Sequence, residues 1–278
     1  MSGFFWLASY PKSGNTWLRL ALPALRLGRA IDFSVRSDFA PIAASRMAFD
    51  RVLEIESSDL TADEIAILRP RSYEALARLA ADPQFRKVHD AWSLTPAGEP
   101  LFPASVTLGT IYVVRDPRDV AVSFSHHVAQ GIDGVIARMN DARTQLVSQE
   151  TQLSEQLPQF LGDWSGHVAG WRAAPGARQT LLIRYEDMKV DPARQLRRIA
   201  DYVDWPVTDE AVRHAVEATR FETLRATEET FGFRERPGAA KRFFREGRAG
   251  AWREVLSVAQ AGAIEAAHGA MMRELGYL

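Results

Sequence analysis

An α/β fold with a mainly parallel central sheet flanked by helices is what this chain predicts, on three observations. Short apolar runs at Phe4–Ala8, Thr110–Val114 and Gln179–Tyr185 read as buried strands. Each is followed by a polar turn and then by residues that favour a helix, the alternation that builds parallel sheets. The 278 residues are enough to bury a sizeable core. No internal repeat or linker divides them, so a single domain over 1–278 is expected.

The first strand is followed by the most informative stretch. Pro11, Lys12, Ser13, Gly14, Asn15 and Thr16 form a turn-type cluster with one cation. Trp17, Leu18, Leu20, Ala21, Leu22 and Leu25 then recur at helical spacing. A loop at a helix N-terminus presents unpaired N–H groups and the positive end of the helix dipole, which suits an anion. Lys12 adds a charge, and Ser13 and Thr16 add hydroxyls. The nucleoside-triphosphate loop pattern, Gly-x4-Gly-Lys-Ser/Thr, is absent, because Lys12 precedes Gly14. On physics alone, a phosphate-type site and a strand–turn–helix with a solvated lysine fit about equally.

Further along, Asp59–Leu68 reads as a short helix opened by Thr61, and Ser72–Ala81 as a second, amphipathic one. Phe85–Val88 suits a strand with His89 at its carboxyl end, where ligands gather in open α/β sheets. Leu94–Thr107 carries three prolines and a glycine and reads as a loop. Thr110–Val114 runs into Arg115, then Asp116 as a helix cap and Pro117 as a first helical residue, with a helix to Gly131. Residues 131–170, rich in Gln and Glu, break the rhythm and read as a lid or acceptor insert, with Pro158 opening a helix toward Trp164 and Trp171. Glu186–Lys189 reads as a turn, Asp191-Pro192 opens a helix to Val203, and Thr208 caps another. Ala226–Ala251 reads as a loop and Trp252–Leu275 as a closing helix.

Composition narrows the function. The net charge of −1 and the lack of an aromatic–basic stripe disfavour nucleic acid as a partner. The chain has no cysteine, so disulfides, thiolate metal sites and cysteine nucleophiles are excluded. No apolar run approaches membrane-spanning length. The N-terminus lacks the basic and apolar regions of a signal peptide, so a cytoplasmic location is expected.

Tyr10-Pro11-Lys12-Ser13-Gly14-Asn15-Thr16-Trp17 resembles the 5′-phosphosulfate loop of the cytosolic-type sulfotransferases, with Asn15 where threonine is commoner. Those enzymes use 3′-phosphoadenosine 5′-phosphosulfate (PAPS) and need no metal. Five further stretches match in the same order. Val113–Ser123 is similar to the segment that binds the 3′-phosphate, which implies Arg115 and Ser123 as ligands. Lys87-Val88-His89 is similar to a Lys-Thr-His segment, which implies His89 as catalytic base and Lys87 as an aid at the transferred group. Tyr185-Glu186-Asp187-Met188 and Thr219-Arg220-Phe221 resemble elements at the nucleotide. Phe243–Trp252 resembles the Arg-Lys-Gly-x-x-Gly-x-Trp loop that covers it, implying Arg245 and Gly247 at the 3′-phosphate. Glu246 replaces the lysine of that pattern. The resemblance runs from about residue 4 to about residue 255.

Bland readings stand beside these. Alone, Arg115 reads as a salt-bridge partner of Asp119, Ser123 as a helix residue, His89 as structural and Phe221 as core. Asp116 and Asp119 read as helix capping. The implied reaction is transfer of an SO3 group to a hydroxyl or amine of a small-molecule acceptor. Lys12 would stabilise the departing nucleotide and His89 would take the proton. Phe33, Phe39, Trp92 and Phe124 fit either an acceptor pocket or the core, and His126 and His127 are further candidates there. A nucleotide kinase and a non-catalytic nucleotide-binding protein are the competing classes. The family's C-terminal dimer element, Lys-x3-Thr-Val-x3-Glu, is degraded here to Arg253, Ser257, Val258 and Gly262, so the oligomeric state stays open.

Overall fold

The computed structural model describes residues 2–28, 39–128, 130–147, 153–233, 235–236, 242–244 and 247–278. Phe33, Arg245 and Glu246 lie outside this set. The elements in chain order are β1 (Phe4–Ser9), α1 (Asn15–Leu27), α2 (Arg46–Leu53), α3 (Ala62–Leu79), β2 (Gln84–Val88), β3 (Thr107–Val114), α4 (Pro117–Val128), α5 (Ile132–Asn140), β4 (Gln145–Leu146), β5 (Gln159–Phe160), α6 (Trp164–Ala173), β6 (Leu181–Arg184), α7 (Tyr185–Val190), α8 (Pro192–Tyr202), α9 (Asp209–Ala218), α10 (Phe221–Phe231) and α11 (Val258–Glu274). A parallel central sheet has the strand order β2-β1-β3-β6. β1 and β2 pair from Phe4 with Gln84 to Ala8 with Val88. This register brings Ser9 and His89 to the same carboxyl edge. The mixed α/β class is as expected.

The chain divides into two compact units, each discontinuous in sequence. The first comprises Met1–Tyr10, Ala40–Tyr112 and Asp141–Leu182; the second comprises Pro11–Phe39, Val113–Asn140 and Ile183–Leu278. The first unit has an aromatic core. Trp6 meets Tyr73 at 5.3 Å and Phe102 at 5.0 Å between ring centroids, and Phe102 meets Trp171 at 4.9 Å. The second packs Ala21 and Leu25 of α1 on Leu196 and Ala200 of α8 and on Val212 and Ala215 of α9.

Local chemistry explains most boundaries. Thr61 and Glu64 form a reciprocal capping box on α3. Asp191 and Thr208 accept from the third backbone N–H beyond them, at the starts of α8 and α9.

Five readings need correction. The two helices expected on either side of Pro70 are one helix, α3. Proline breaks a ladder bond at a cost of about 3 kcal/mol, but Arg69 and Tyr73 beside it are buried and hydrogen-bonded to each other. Pro158 opens no helix: Gln159–Phe160 is a strand paired with β4, and α6 starts at Trp164, where Asp163 caps it. Residues 226–231 belong to α10 and not to a loop. Glu186–Lys189 is a turn of helix within α7. The closing helix starts at Val258, where Ser257 and Gln260 make a second capping box; Ala251–Glu254 is a separate 3-10 turn.

The described part of 131–170 is stitched to its surroundings. Leu157 N–H donates to the Ala44 carbonyl at 2.9 Å, Arg46 N–H to the Glu155 carbonyl at 3.0 Å, and Ala91 N–H to the Phe160 carbonyl at 2.8 Å.

Candidate active site

The second unit carries the loop between β1 and α1. Lys12 and Gly14 both adopt left-handed backbone, with φ 67° and φ 106°. For Gly14 this conformation is free; for Lys12 it costs about 1 kcal/mol. A Cβ at Gly14 would lie 2.7 Å from Cδ2 of the Tyr185 ring, so glycine is required on two counts. Gly14 is also the N-cap of α1 and makes no side-chain capping bond there. A helix start of this kind is where an anion is favoured. Ser13 is 0% exposed, and its hydroxyl has no partner among the described residues. The Lys12 ammonium lies 3.4 Å from His127 Nδ1 and 4.8 Å from the centre of the Phe243 ring. Asn15 is buried and Thr16 half-buried in the first turn of α1. Trp17 Nε1 donates to the Thr219 carbonyl at 2.9 Å.

Arg115 leaves β3 into the same unit and makes the salt bridge with Asp119 expected of it in isolation, at a long 4.0 Å. Its Nη1 also donates to the Lys12 carbonyl at 3.3 Å and its Nη2 to the Arg248 carbonyl at 3.0 Å. One guanidinium thus ties the loop after β1 to the loop before α11. The Tyr185 ring lies 4.4 Å from it, a cation–π distance. Burial raises the Tyr185 phenol above its ordinary value, with Arg115 pulling the other way. Arg115 Nε is buried with no partner among the described residues. Buried donors of this kind are rare unless something else satisfies them.

The other nucleotide candidates are in this unit too. Ser123 lies half-buried on α4, two turns beyond its start. Phe221 opens α10 and packs against Gly247 so tightly that a Cβ there would sit 2.3 Å from its ring. Gly247 also has φ 58°, so no other residue fits that spot easily. Thr219 spends its hydroxyl on the Ala215 carbonyl, 2.7 Å away, and meets Trp17 through its own carbonyl. Asp116 caps α4 as read, accepting from Arg118 N–H at 2.9 Å. Its carboxylate also holds the Arg118 guanidinium, which continues to Glu265 at 2.6 Å and to the Tyr277 carbonyl at 2.8 Å. Burial raises the Glu186 carboxyl above its ordinary value, although Asp116 N–H and the Tyr277 hydroxyl both donate to it.

His89 and Lys87 belong to the first unit. His89 Nδ1 is 2.9 Å from the Ser9 carbonyl and 3.5 Å from the Ser9 hydroxyl. A carbonyl only accepts, so Nδ1 carries the proton and Nε2 the lone pair of the neutral ring. That is the tautomer a general base needs. The main chain here is clamped. The His89 carbonyl accepts from His167 Nε2 at 3.0 Å, and the Tyr112 hydroxyl donates to His167 Nδ1 at 2.7 Å. Burial pushes the His167 pKa down to about 4, against its hydrogen bond to His89, so the ring is neutral. Asp90 accepts two bonds from Arg69, at 2.6 and 2.8 Å, while Trp171 Nε1 donates to its carbonyl at 2.9 Å. Burial opposes the Arg69 charge, yet Asp90 and Tyr73 hold its pKa above the ordinary value. Lys87 is fixed through its backbone: its N–H donates to Pro41 and its carbonyl accepts from Ala43.

Sequence reasoning missed His167, which lies on the buried face of α6 between Trp164 and Trp171. Their spacing was the available signal, but a histidine on an apolar face reads as core. It also assigned Asp119 to capping, whereas its carboxylate accepts from the N–H groups of Gly250 and Trp252.

Among the described residues, no cluster of His, Asp or Glu could hold a metal ion. No described helix is long and apolar enough to cross a membrane.

A family model of the sulfotransferase domain matches residues 4–276. Bovine (Bos taurus) sulfotransferase 1A1 is 27% identical over 261 residues, which cover 91% of this chain and 78% of the relative. Arabidopsis thaliana cytosolic sulfotransferase 17 is 25% identical over 277 residues, covering 91% and 69%. Among solved structures, mouse sulfotransferase SULT7A1 complexed with PAP aligns with a TM-score of 0.61 at 20% identity, covering 98% of this chain and 84% of that one. Retinol dehydratase in complex with androsterone and inactive cofactor PAP aligns with a TM-score of 0.63 at 21% identity, covering 97% and 80%. At those identities the two structures speak for the fold. With a family match over nearly its whole length, the chain belongs to the sulfotransferase domain family and is a transferase.

Proposed function

We propose that the chain works as one domain that transfers a sulfuryl group from PAPS to a hydroxyl or amine of a small-molecule acceptor, in the cytoplasm and without a metal. PAPS supplies the SO3 group as a mixed phosphate–sulfate anhydride. The observation that carries this reading is Arg115, whose two Nη atoms join the Lys12 and Arg248 backbones while its buried Nε keeps a donor in reserve. Together with the Ser13 hydroxyl and the N-terminus of α1, this is a donor set for two separate anionic groups. That chemistry fits a nucleotide phosphorylated at both ends of its ribose.

The residues then divide the work. Lys12, Ser13, Gly14, Asn15, Thr16 and Trp17 hold the 5′ end, and Lys12 stabilises charge on the departing oxygen. Arg115, Ser123, Arg245 and Gly247 hold the 3′-phosphate. Tyr185, Thr219 and Phe221 hold the base. His89 Nε2 takes the proton of the acceptor, which neutral His89 is in the right tautomer to do. Lys87 assists at the transferred group. Small apolar alcohols and phenols are the acceptors to try first, since retinol dehydratase, a structural neighbour, carries androsterone in its crystal structure.

The test is turnover of PAPS against a panel of phenols and hydroxysteroids, with His89→Ala beside the wild type. Loss of a general base lowers turnover about 10²–10⁴-fold, while affinity for PAP stays as it was. Wild-type turnover in His89→Ala with a true acceptor would remove His89 from the role. Magnesium-dependent transfer from ATP would overturn the reading as a whole.

A further inference from the structure

Two buried carboxylates grip the main chain on either side of the covering loop. Glu228 of α10 is 4% exposed. Its Oε1 accepts from Phe243 N–H at 2.7 Å and its Oε2 from Phe244 N–H at 2.9 Å. Asp119 of α4 is 1% exposed. Its Oδ2 accepts from Gly250 N–H at 2.6 Å and its Oδ1 from Trp252 N–H at 3.0 Å. Each carboxylate spends both oxygens on two nearby amides of the same loop. Burying a carboxylate is costly unless such bonds offset the lost water, and charge-assisted bonds to N–H do so well. The fastening has an apolar side as well. Phe233 meets Phe243 at 4.7 Å and Phe244 at 5.2 Å between centroids, and Phe244 packs with Leu20 and Leu224.

Between the two forks lie Gly247, pressed on Phe221, and Arg248, whose carbonyl receives Arg115. Both contacts depend on where the loop's ends are held. We infer that Glu228 and Asp119 are positioning residues for the donor's 3′-phosphate. They touch no ligand themselves; they fix the backbone that sets Gly247 against Phe221 and the Arg248 carbonyl against Arg115. This rests on the proposed PAPS reading. An ordinary structural role predicts lower stability alone. A positioning role predicts a selective loss at one end of the nucleotide, because both carboxylates bond amides of the covering loop.

The experiment is calorimetry of PAP and 5′-AMP on the wild type, Glu228→Gln and Asp119→Asn, with amide hydrogen exchange of residues 243–252. Each variant should bind PAP about tenfold more weakly while 5′-AMP stays within about twofold. Exchange at Phe243 and Phe244 should quicken in Glu228→Gln, and at Gly250 and Trp252 in Asp119→Asn. An unchanged ratio of PAP to 5′-AMP affinity in a folded variant overturns the inference. Should Glu228→Gln not fold, Asp119→Asn carries the same decision. A wild type that binds PAP and 5′-AMP equally would instead sink the PAPS reading, and the positioning role with it.

Discussion

The two units hold their candidate functional side chains by opposite means. In the second, charge does the holding. Arg115 straps two loops together, and Asp119 and Glu228 fasten one of them through carboxylates aimed at amides. In the first, the candidate base is held by a neutral relay: Tyr112 donates to His167, His167 donates to the His89 carbonyl, and the His89 ring donates to Ser9. An ion pair nearby, Arg69 with Asp90, is buried and bears on the residue next to His89. The difference suits the tasks proposed for them. A site for a multiply charged nucleotide needs donors and the frame that aims them. A general base must keep an unprotonated nitrogen at neutral pH, and a nearby carboxylate would favour its protonation.

Breaking the buried pair is the harshest way to probe the first unit. Arg69→Met leaves Asp90 as a buried charge, and removing one partner of such a pair costs about 3–5 kcal/mol. Denaturant unfolding should read that loss. PAP affinity of the folded fraction should stay as in the wild type, because the donor residues proposed above all belong to the second unit. A parallel loss of PAP affinity would break the division of labour.

Acid should find the relay next. The folded His167 pKa, about 4, lies below the ordinary value of 6.5. Between those values the unfolded chain binds more protons than the folded one, so stability is full above pH 6.5 and falls as pH drops toward 4. A depression of this size is worth about 3 kcal/mol over that window. His167→Gln should flatten that part of the stability–pH curve, measured by thermal unfolding in steps from pH 7 to pH 4. An unaltered slope would place the titration elsewhere.

Smaller in free energy is the loss of the strap. Arg115→Ala removes charge-assisted bonds worth about 1.5–3 kcal/mol. It should weaken PAP far more than 5′-AMP while leaving the His167 titration in place. Equal weakening of both nucleotides would mean that Arg115 only organises the loop after β1.

Legibility in the sequence followed the range of the interaction. The strands announced themselves through apolar runs, and Thr61, Asp191 and Thr208 did cap the helices they precede. The strand–turn–helix around Gly14 was readable because Pro11, Ser13 and Gly14 mark the turn locally. His167 was not, since its value lies in a bond to the carbonyl of His89, 78 residues away. Asp119 illustrates the same limit. Near the start of a helix it looks like dipole chemistry, but the amides it holds are 131 and 133 residues downstream. Pro70 shows local rules being overruled, because α3 runs through it with Arg69 and Tyr73 buried beside it.

The most direct test of the donor site is a calorimetric titration of the wild-type chain with PAP and, separately, with 5′-AMP. Two anion subsites, one at the loop after β1 and one at Arg115, predict PAP binding at least about tenfold tighter than 5′-AMP, the worth of charge-assisted bonds to one extra phosphate. Equal affinity for the two, or binding of neither, would contradict a site built for a nucleotide carrying a 3′-phosphate.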